Sequence, residues 1–196
     1  MTKAMTIRTI FLLLIIASLC AEAQTILDPV RDVAELGRTY LVWKVDINHD
    51  DVVDVLVSEK PTAAEIQDMR AATPLFPSDF CAFAVYAGSK NGNGYNKAGG
   101  IGIEMSRCYV GYVKQIHGYG VVSLDTTVVD DPKDPNSKYG IPEKQVCCYD
   151  LKAGKIEKTA LTPWLDDWEN NAIYRMYLTE SKRTNVHPQE VTPAGN

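Results

Sequence analysis

The stretch Trp43 to Ser58, WKVDINHDDVVDVLVS, decides the fold, because two runs of strand-forming residues flank a turn dense in Asp and Asn. Upstream of the turn, Thr39 to Val45 (TYLVWKV) sets Leu41, Trp43 and Val45 on one side and Tyr40, Val42 and Lys44 on the other. That is the period of two expected of a strand with two distinct faces. Downstream, Val53 to Ser58 reads as a second strand. Two strands joined by a short polar segment predict an antiparallel hairpin, and the rest of the chain is read outward from it.

Toward the N-terminus, Asp28 can cap a short helix with Pro29 in its first turn; Val30, Val33 and Ala34 share one face, and Gly37 ends it. Toward the C-terminus, Pro61 stops the second strand. Thr62-Ala63-Ala64-Glu65 forms a capping box that opens a helix to about Ala72, with Ile66 and Met69 facing inward. The Pro74 to Pro77 stretch breaks the chain. Cys81 to Ala87 (CAFAVYA) carries bulky residues on both faces, as a central strand in a covered sheet does. Ser89 to Gly100, rich in Gly and Asn, is expected to be a turn or exposed loop around Tyr95. Further strands follow at Ile101 to Met105, Cys108 to Ile116 and Tyr119 to Val128, with His117-Gly118 as a tight connection between the last two. Asp130 to Gly140 is a polar, proline-broken loop. Gln145 to Leu151, the turn Lys152 to Lys155, and Ile156 to Leu161 form the clearest hairpin.

Thr162-Pro163 is expected to start a helix with Asp166 and Asp167 at its positive dipole end. Trp164, Trp168, Ala172 and Met176 form its packing stripe, beside Leu165 and Ile173. From Glu180 the chain turns polar and irregular. The expected architecture is therefore a single α+β domain over residues 24–179: mainly antiparallel β-sheet with short helices and a C-terminal helix packed on the sheet, then a disordered tail at 180–196.

The chain has 196 residues, 45% hydrophobic and 23% charged, with a net charge of −5, which is the makeup of a folded domain. No Lys/Arg cluster is present, which argues against a nucleic-acid binder. Lys3 and Arg8, the apolar run Thr9 to Leu19, and Ala21-Glu22-Ala23 have the order of a signal peptide, residues 1–23, followed by a mature chain from Gln24 without a membrane span. Export makes the four cysteines beyond that point, Cys81, Cys108, Cys147 and Cys148, candidates for disulfides, although each could also be a small buried hydrophobe. A bond between the neighbours Cys147 and Cys148 is disfavoured because adjacent strand residues face opposite ways. Cys81 with Cys108 is the preferred pair, since the Gly-rich segment between them can return the chain and lay the two strands side by side.

The turn of the first hairpin carries the chemistry. Asp46, Asn48, Asp50 and Asp54 place oxygen side chains at loop positions 1, 3, 5 and 9, and the carbonyl of Val52 falls at position 7. Calcium takes six to eight hard oxygen ligands, and this spacing can fold the chain around one ion. The segment resembles the FG-GAP and VCBS-type, EF-hand-like calcium loops of secreted β-proteins, whose pattern is strand, D-x-[DN]-x-D-G-x-x-D, strand. The similarity extends toward the following strand at Phe83 to Gly88, and the whole chain looks like small secreted bacterial proteins with a single such loop. The resemblance implies Asp46, Asn48, Asp50, Val52 and Asp54 as ligands of one Ca2+. Asp51 stands where the pattern has Gly, so it must adopt a left-handed backbone at some cost. Val57 stands at position 12, so the bidentate Glu of a true EF-hand is missing and a helix-loop-helix is excluded. The competing expectation is a metal-free turn whose Asp and Asn side chains bond the turn backbone.

No catalytic or other cofactor-binding residue is assigned. His49, His117 and His187 lie in separate segments, and no zinc spacing, C-x-x-C, G-x-S-x-G, P-loop or dinucleotide fingerprint occurs. Asp166, Asp167 and Glu169 imitate a carboxylate pair but suit a helix N-terminus better. Tyr109, Tyr112 and Tyr119 form a sheet pattern that could also serve as a binding platform. The expected function is a secreted or periplasmic β-rich module with a binding or structural role toward an extracellular protein or polysaccharide. The alternative is a small exported, hydrolase-like enzyme assembled around His117 and neighbouring tyrosines. Mass spectrometry of exported protein should find a chain beginning at Gln24; a mature protein retaining Met1 to Ala23 would contradict the leader.

Overall fold

The structure is a computed structural model and describes residues 25–35, 37–72, 81–103, 107–130, 133, 140–165 and 172–193. The expected leader therefore lies outside the described residues. Among the described residues, nine strands form two antiparallel sheets. In chain order they are β1 (Tyr40–Val45), β2 (Asp54–Glu59), β3 (Cys81–Gly88), β4 (Tyr95–Ile103), β5 (Arg107–Val113), β6 (Gly118–Val129), β7 (Ile141–Lys152), β8 (Lys155–Ala160) and β9 (Gln189–Val191). Sheet A has the order β4-β3-β2-β1-β9, and sheet B the order β5-β6-β7-β8. Among the described residues, three short α-helices, α1 (Pro29–Val33), α2 (Ala63–Ala72) and α3 (Ala172–Thr184), accompany them.

The alternation in β1 has the predicted consequence. Trp43 and Val45, with Ile47 just beyond the strand, join Leu56, Phe83, Val85, Ile101 and Ile103 of sheet A in one buried cluster with Val110, Val121 and Leu151 of sheet B. The two sheets thus share a core between them, with Trp43 and Phe83 in edge contact at 5.2 Å. Burying a side chain as fully as Leu56 or Val85 contributes roughly 1.5–3 kcal/mol. The opposite residues of β1, Tyr40 and Val42, meet Val55, Val57, Tyr86 and the α1 residue Val30 on the outer face of sheet A. Asp28 caps α1 by accepting from the N–H groups of Val30 and Arg31. Asp32 in that helix accepts from the Tyr86 hydroxyl at 2.7 Å and the Lys97 ammonium at 2.8 Å. The capping box of α2 is also as predicted, Thr62 and Glu65 each accepting from the other's backbone N–H. Glu65 further binds Arg38, and that contact, with the Thr62 bonds, pulls its carboxyl down to about 2.

Four features depart from the sequence expectation. Tyr95 to Gly100 is not loop but the first part of β4, pairing with β3 across a bulge between Val85 and Tyr86. Glycines stacked beside Ala82 and Ala84 pair through backbone alone and leave no side-chain periodicity to read. The helix expected from Thr162 is absent there: Leu165 makes a bridge to Lys144, and α3 begins at Ala172. The predicted stripe fails with it, since Trp164 is 40% and Met176 41% exposed, while Tyr177 is buried with Val113, Val122, Val146 and Cys148. Trp168, Asp166, Asp167 and Glu169 lie outside the described residues. The tail expected from Glu180 is instead helix to Thr184, after which Val186 donates to the Val110 carbonyl at 2.7 Å and β9 pairs with β1. Polar composition hid these pairings because an edge strand buries little.

The fourth departure concerns the disulfide. Cys81 and Cys108 are bonded, with Cα atoms 6.1 Å apart, and Cys147 and Cys148 are free and buried. The expected pair is right, but the expected reason is wrong. β3 lies between β2 and β4, and the bond runs from sheet A to sheet B instead of between neighbouring strands. It closes a loop with a sequence separation of 27, which corresponds to about 3.5 kcal/mol of denatured-state entropy. Replacing both cysteines with Ala should therefore lower the melting temperature by roughly 10 °C. An unchanged melting curve would show that the bond does not constrain the unfolded chain.

Candidate functional site

The turn between β1 and β2 folds on its own side chains. Asp46 accepts from the N–H groups of Asp50 (3.2 Å) and Asp51 (2.9 Å), Asn48 from Asp50 (3.1 Å), and Asp50 from Val52 (3.0 Å). His49 and Asp51 have φ of 60° and 64°. Asp51 thus adopts a left-handed backbone of the kind glycine adopts most readily.

Asp54 closes the turn at the first residue of β2. It is fully buried, and its carboxylate accepts from Ile47 at 3.0 Å and from Gly88, the last residue of β3, at 2.8 Å. Burial raises its carboxyl above the ordinary value; the Gly88 and Ile47 N–H groups oppose that rise, and the charges of Asp46 and Asp50 add to it. A Cβ at Gly88 would overlap the Val53 carbonyl, so the turn backs directly onto the end of β3. Val52, the position-7 residue, lies over the same glycine.

The turn also reaches sheet B. The Ile47 side chain is 1% exposed, and its carbonyl accepts from the Leu151 N–H at 3.2 Å. His49 lies against Gly118, the first residue of β6. At the rim, Lys90 stands 3.7 Å from Asp50 and is largely exposed. Among the described residues, no group of three or more His, Cys, Asp or Glu side chains is gathered as a metal-holding cluster. The loop carboxylates are spread along the backbone they cap. Their chemistry suits a hard cation nonetheless: the donors are all oxygen, an oxygen that accepts one N–H keeps a second lone pair, and three acidic groups oppose one another's charge.

The other candidates do not assemble with this turn. Tyr112 and Tyr119 meet edge to face at 5.6 Å, and both are more than one-third exposed. Tyr109 belongs to the cluster on the outer face of sheet B, and His117 and His187 are exposed in separate segments. Asp125, which the sequence did not single out, is 7% exposed and accepts from Ser123, Tyr149 and Lys158. With three donors it is held as an ion-pair network across β6, β7 and β8. Burial and the nearby Asp125 charge push the Cys147 thiol up to about 11, and burial with the Asp150 charge pushes Cys148 up to about 12, so neither is an activated nucleophile.

Sequence reasoning found the turn but missed Gly118, Leu151 and Lys90, whose contacts arise only when the two sheets come together. Gly88 was read only as the end of a strand, with no role at the turn. No protein-family model, curated protein or solved structure matches the chain.

Removing the Asp54 carboxylate leaves two N–H groups without acceptors, so Asp54→Ala should cost about 2–4 kcal/mol in chelator, measured by denaturant unfolding. Its raised carboxyl sets a pH slope as well. The metal-free fold holds a proton that the unfolded chain releases, so the Asp54 contribution is greatest below the ordinary carboxyl range. It is lost as pH rises through the folded value. Asp54→Asn should remove that part of the slope, from the ordinary carboxyl range upward; identical slopes would show that Asp54 does not carry it.

Proposed function

We propose that the chain is an exported, disulfide-stapled β-module in which the Asp46 to Asp54 turn binds one calcium ion, and that the module has a structural or binding role outside the cytoplasm. The observation that carries this reading is the electrostatics of the turn: buried Asp54 faces the charges of Asp46 and Asp50, and Lys90, 3.7 Å from Asp50, stands exposed at the rim. An ion there would be held by side-chain oxygens of Asp46, Asn48, Asp50 and Asp54 and the carbonyl of Val52, and would supply the positive charge the turn lacks. The turn resembles the calcium loops of FG-GAP and VCBS-type secreted proteins, and the left-handed Asp51 agrees with that pattern.

Export rests on the signal-like N-terminus. The Cys81–Cys108 bond is compatible with an oxidising compartment, and no helix among the described residues is long and apolar enough to cross a membrane. The exposed Tyr112–Tyr119 pair favours a binding surface for an extracellular protein or polysaccharide over the exported-enzyme alternative, because aromatic faces of this kind stack on partners.

Extracellular calcium sites have Kd of about 10⁻⁴ to 10⁻³ M, so roughly 1 mM calcium should stabilise the fold by about 0.4–1.4 kcal/mol. The expected result is a melting temperature a few degrees higher in calcium than in chelator, with the difference abolished in Asp50→Ala. Equal melting in both conditions, with no binding heat in calorimetry, would establish a metal-free turn.

A further inference from the structure

β6 begins at Gly118, paired with Val113 across a 3-10 turn at Lys114–Ile116. A Cβ placed on Gly118 would overlap the His49 ring at Cε1, Nδ1 and Nε2 together. The imidazole therefore lies on the glycine backbone, in space that any other residue would fill. His49 holds this place from a left-handed backbone, φ 60°, which a non-glycine residue adopts at a cost. Its neighbour on the other side of Asn48 is also fixed to sheet B, through the Ile47 carbonyl and the Leu151 N–H. Asn48 is thus bracketed by two contacts to sheet B, while Asp54 ties the far end of the same turn to β3 of sheet A.

We propose that His49 seated on Gly118 is the contact through which the second sheet sets the calcium affinity of the turn, with both residues acting by position and neither as a ligand. The inference rests on the calcium reading. If sheet B holds His49 down, it fixes the backbone on either side of it, at Asn48 and Asp50, before an ion arrives, and the apo turn pays less ordering entropy on binding. A side chain at Gly118 would lift His49, and with it the two adjacent ligand positions.

A double-mutant cycle tests this with Gly118→Ala, His49→Gly and the combination, read by calcium calorimetry and by melting in chelator. With His49 present, Gly118→Ala should raise the calcium Kd about tenfold, whereas in the His49→Gly background it should change it less than twofold. His49→Gly itself should weaken binding moderately, since it loses the contact but relieves the left-handed backbone. The melting temperature in chelator should show the same non-additivity. Should Gly118→Ala fail to fold, the double variant must fold and bind within about twofold of His49→Gly, and its failure too would overturn the proposal. If the wild type binds calcium and Gly118→Ala binds equally well, the coupling is wrong and the calcium reading stands. If the wild type binds no calcium, both are wrong, and a non-additive melting cycle would then leave the contact as a purely structural one.

Discussion

The Asp54 carboxylate is the constraint on which the architecture turns. Its two oxygens hold the N–H groups of Ile47 and Gly88, so one side chain fixes the exit of β1, the entry of β2 and the exit of β3. Hydrogen bonds to a charged acceptor contribute about 1.5–3 kcal/mol each, enough to offset much of the cost of desolvating the group but not all of it, as its raised carboxyl shows. Once Ile47 is held, its side chain enters the core between the sheets and its carbonyl meets Leu151, which brings sheet B to the same end. A turn that would otherwise be peripheral thereby becomes a junction among three strands and two sheets.

The opposite end of β3 is secured differently. Cys81 begins the strand and is bonded to Cys108 of β5, whereas Gly88 ends it at the acidic turn. The two sheets are therefore joined at both ends of one central strand, covalently at one and by hydrogen bonds and packing at the other. Along the free edges of β5 and β1 the C-terminal segment runs from Val186 to β9, pairing first with sheet B and then with sheet A. This covers edges that would otherwise be open to strand addition.

Strand periodicity made the β1–β2 hairpin, the central position of β3 and the β7–β8 hairpin legible, because alternating burial leaves its mark on side-chain type. The caps at Asp28 and Thr62 were legible because they depend on residues a few positions apart. β4 and β9 were not, since glycine pairing and short polar edges carry no such mark. Of the candidate site, the acidic turn from Asp46 to Asp54 was legible as a turn between two strands, and the left-handed backbone expected of Asp51 is found. What surrounds them was not. His49 on Gly118 and Ile47 on Leu151 join residues far apart in sequence, and each partner alone looks like an ordinary turn or strand residue.

Native-state hydrogen exchange resolved at the amides of Ile47, Gly88 and Leu151 tests most directly whether the acidic turn joins the sheets. If it does, these three amides, donated respectively to Asp54, to Asp54 and to the Ile47 carbonyl, open together in chelator. All three should slow by a common factor of about 2 to 10 in millimolar calcium, since stabilisation of the junction is shared by every bond in it. Three unrelated opening rates, or a calcium effect confined to Ile47 with Leu151 unchanged, would contradict the account.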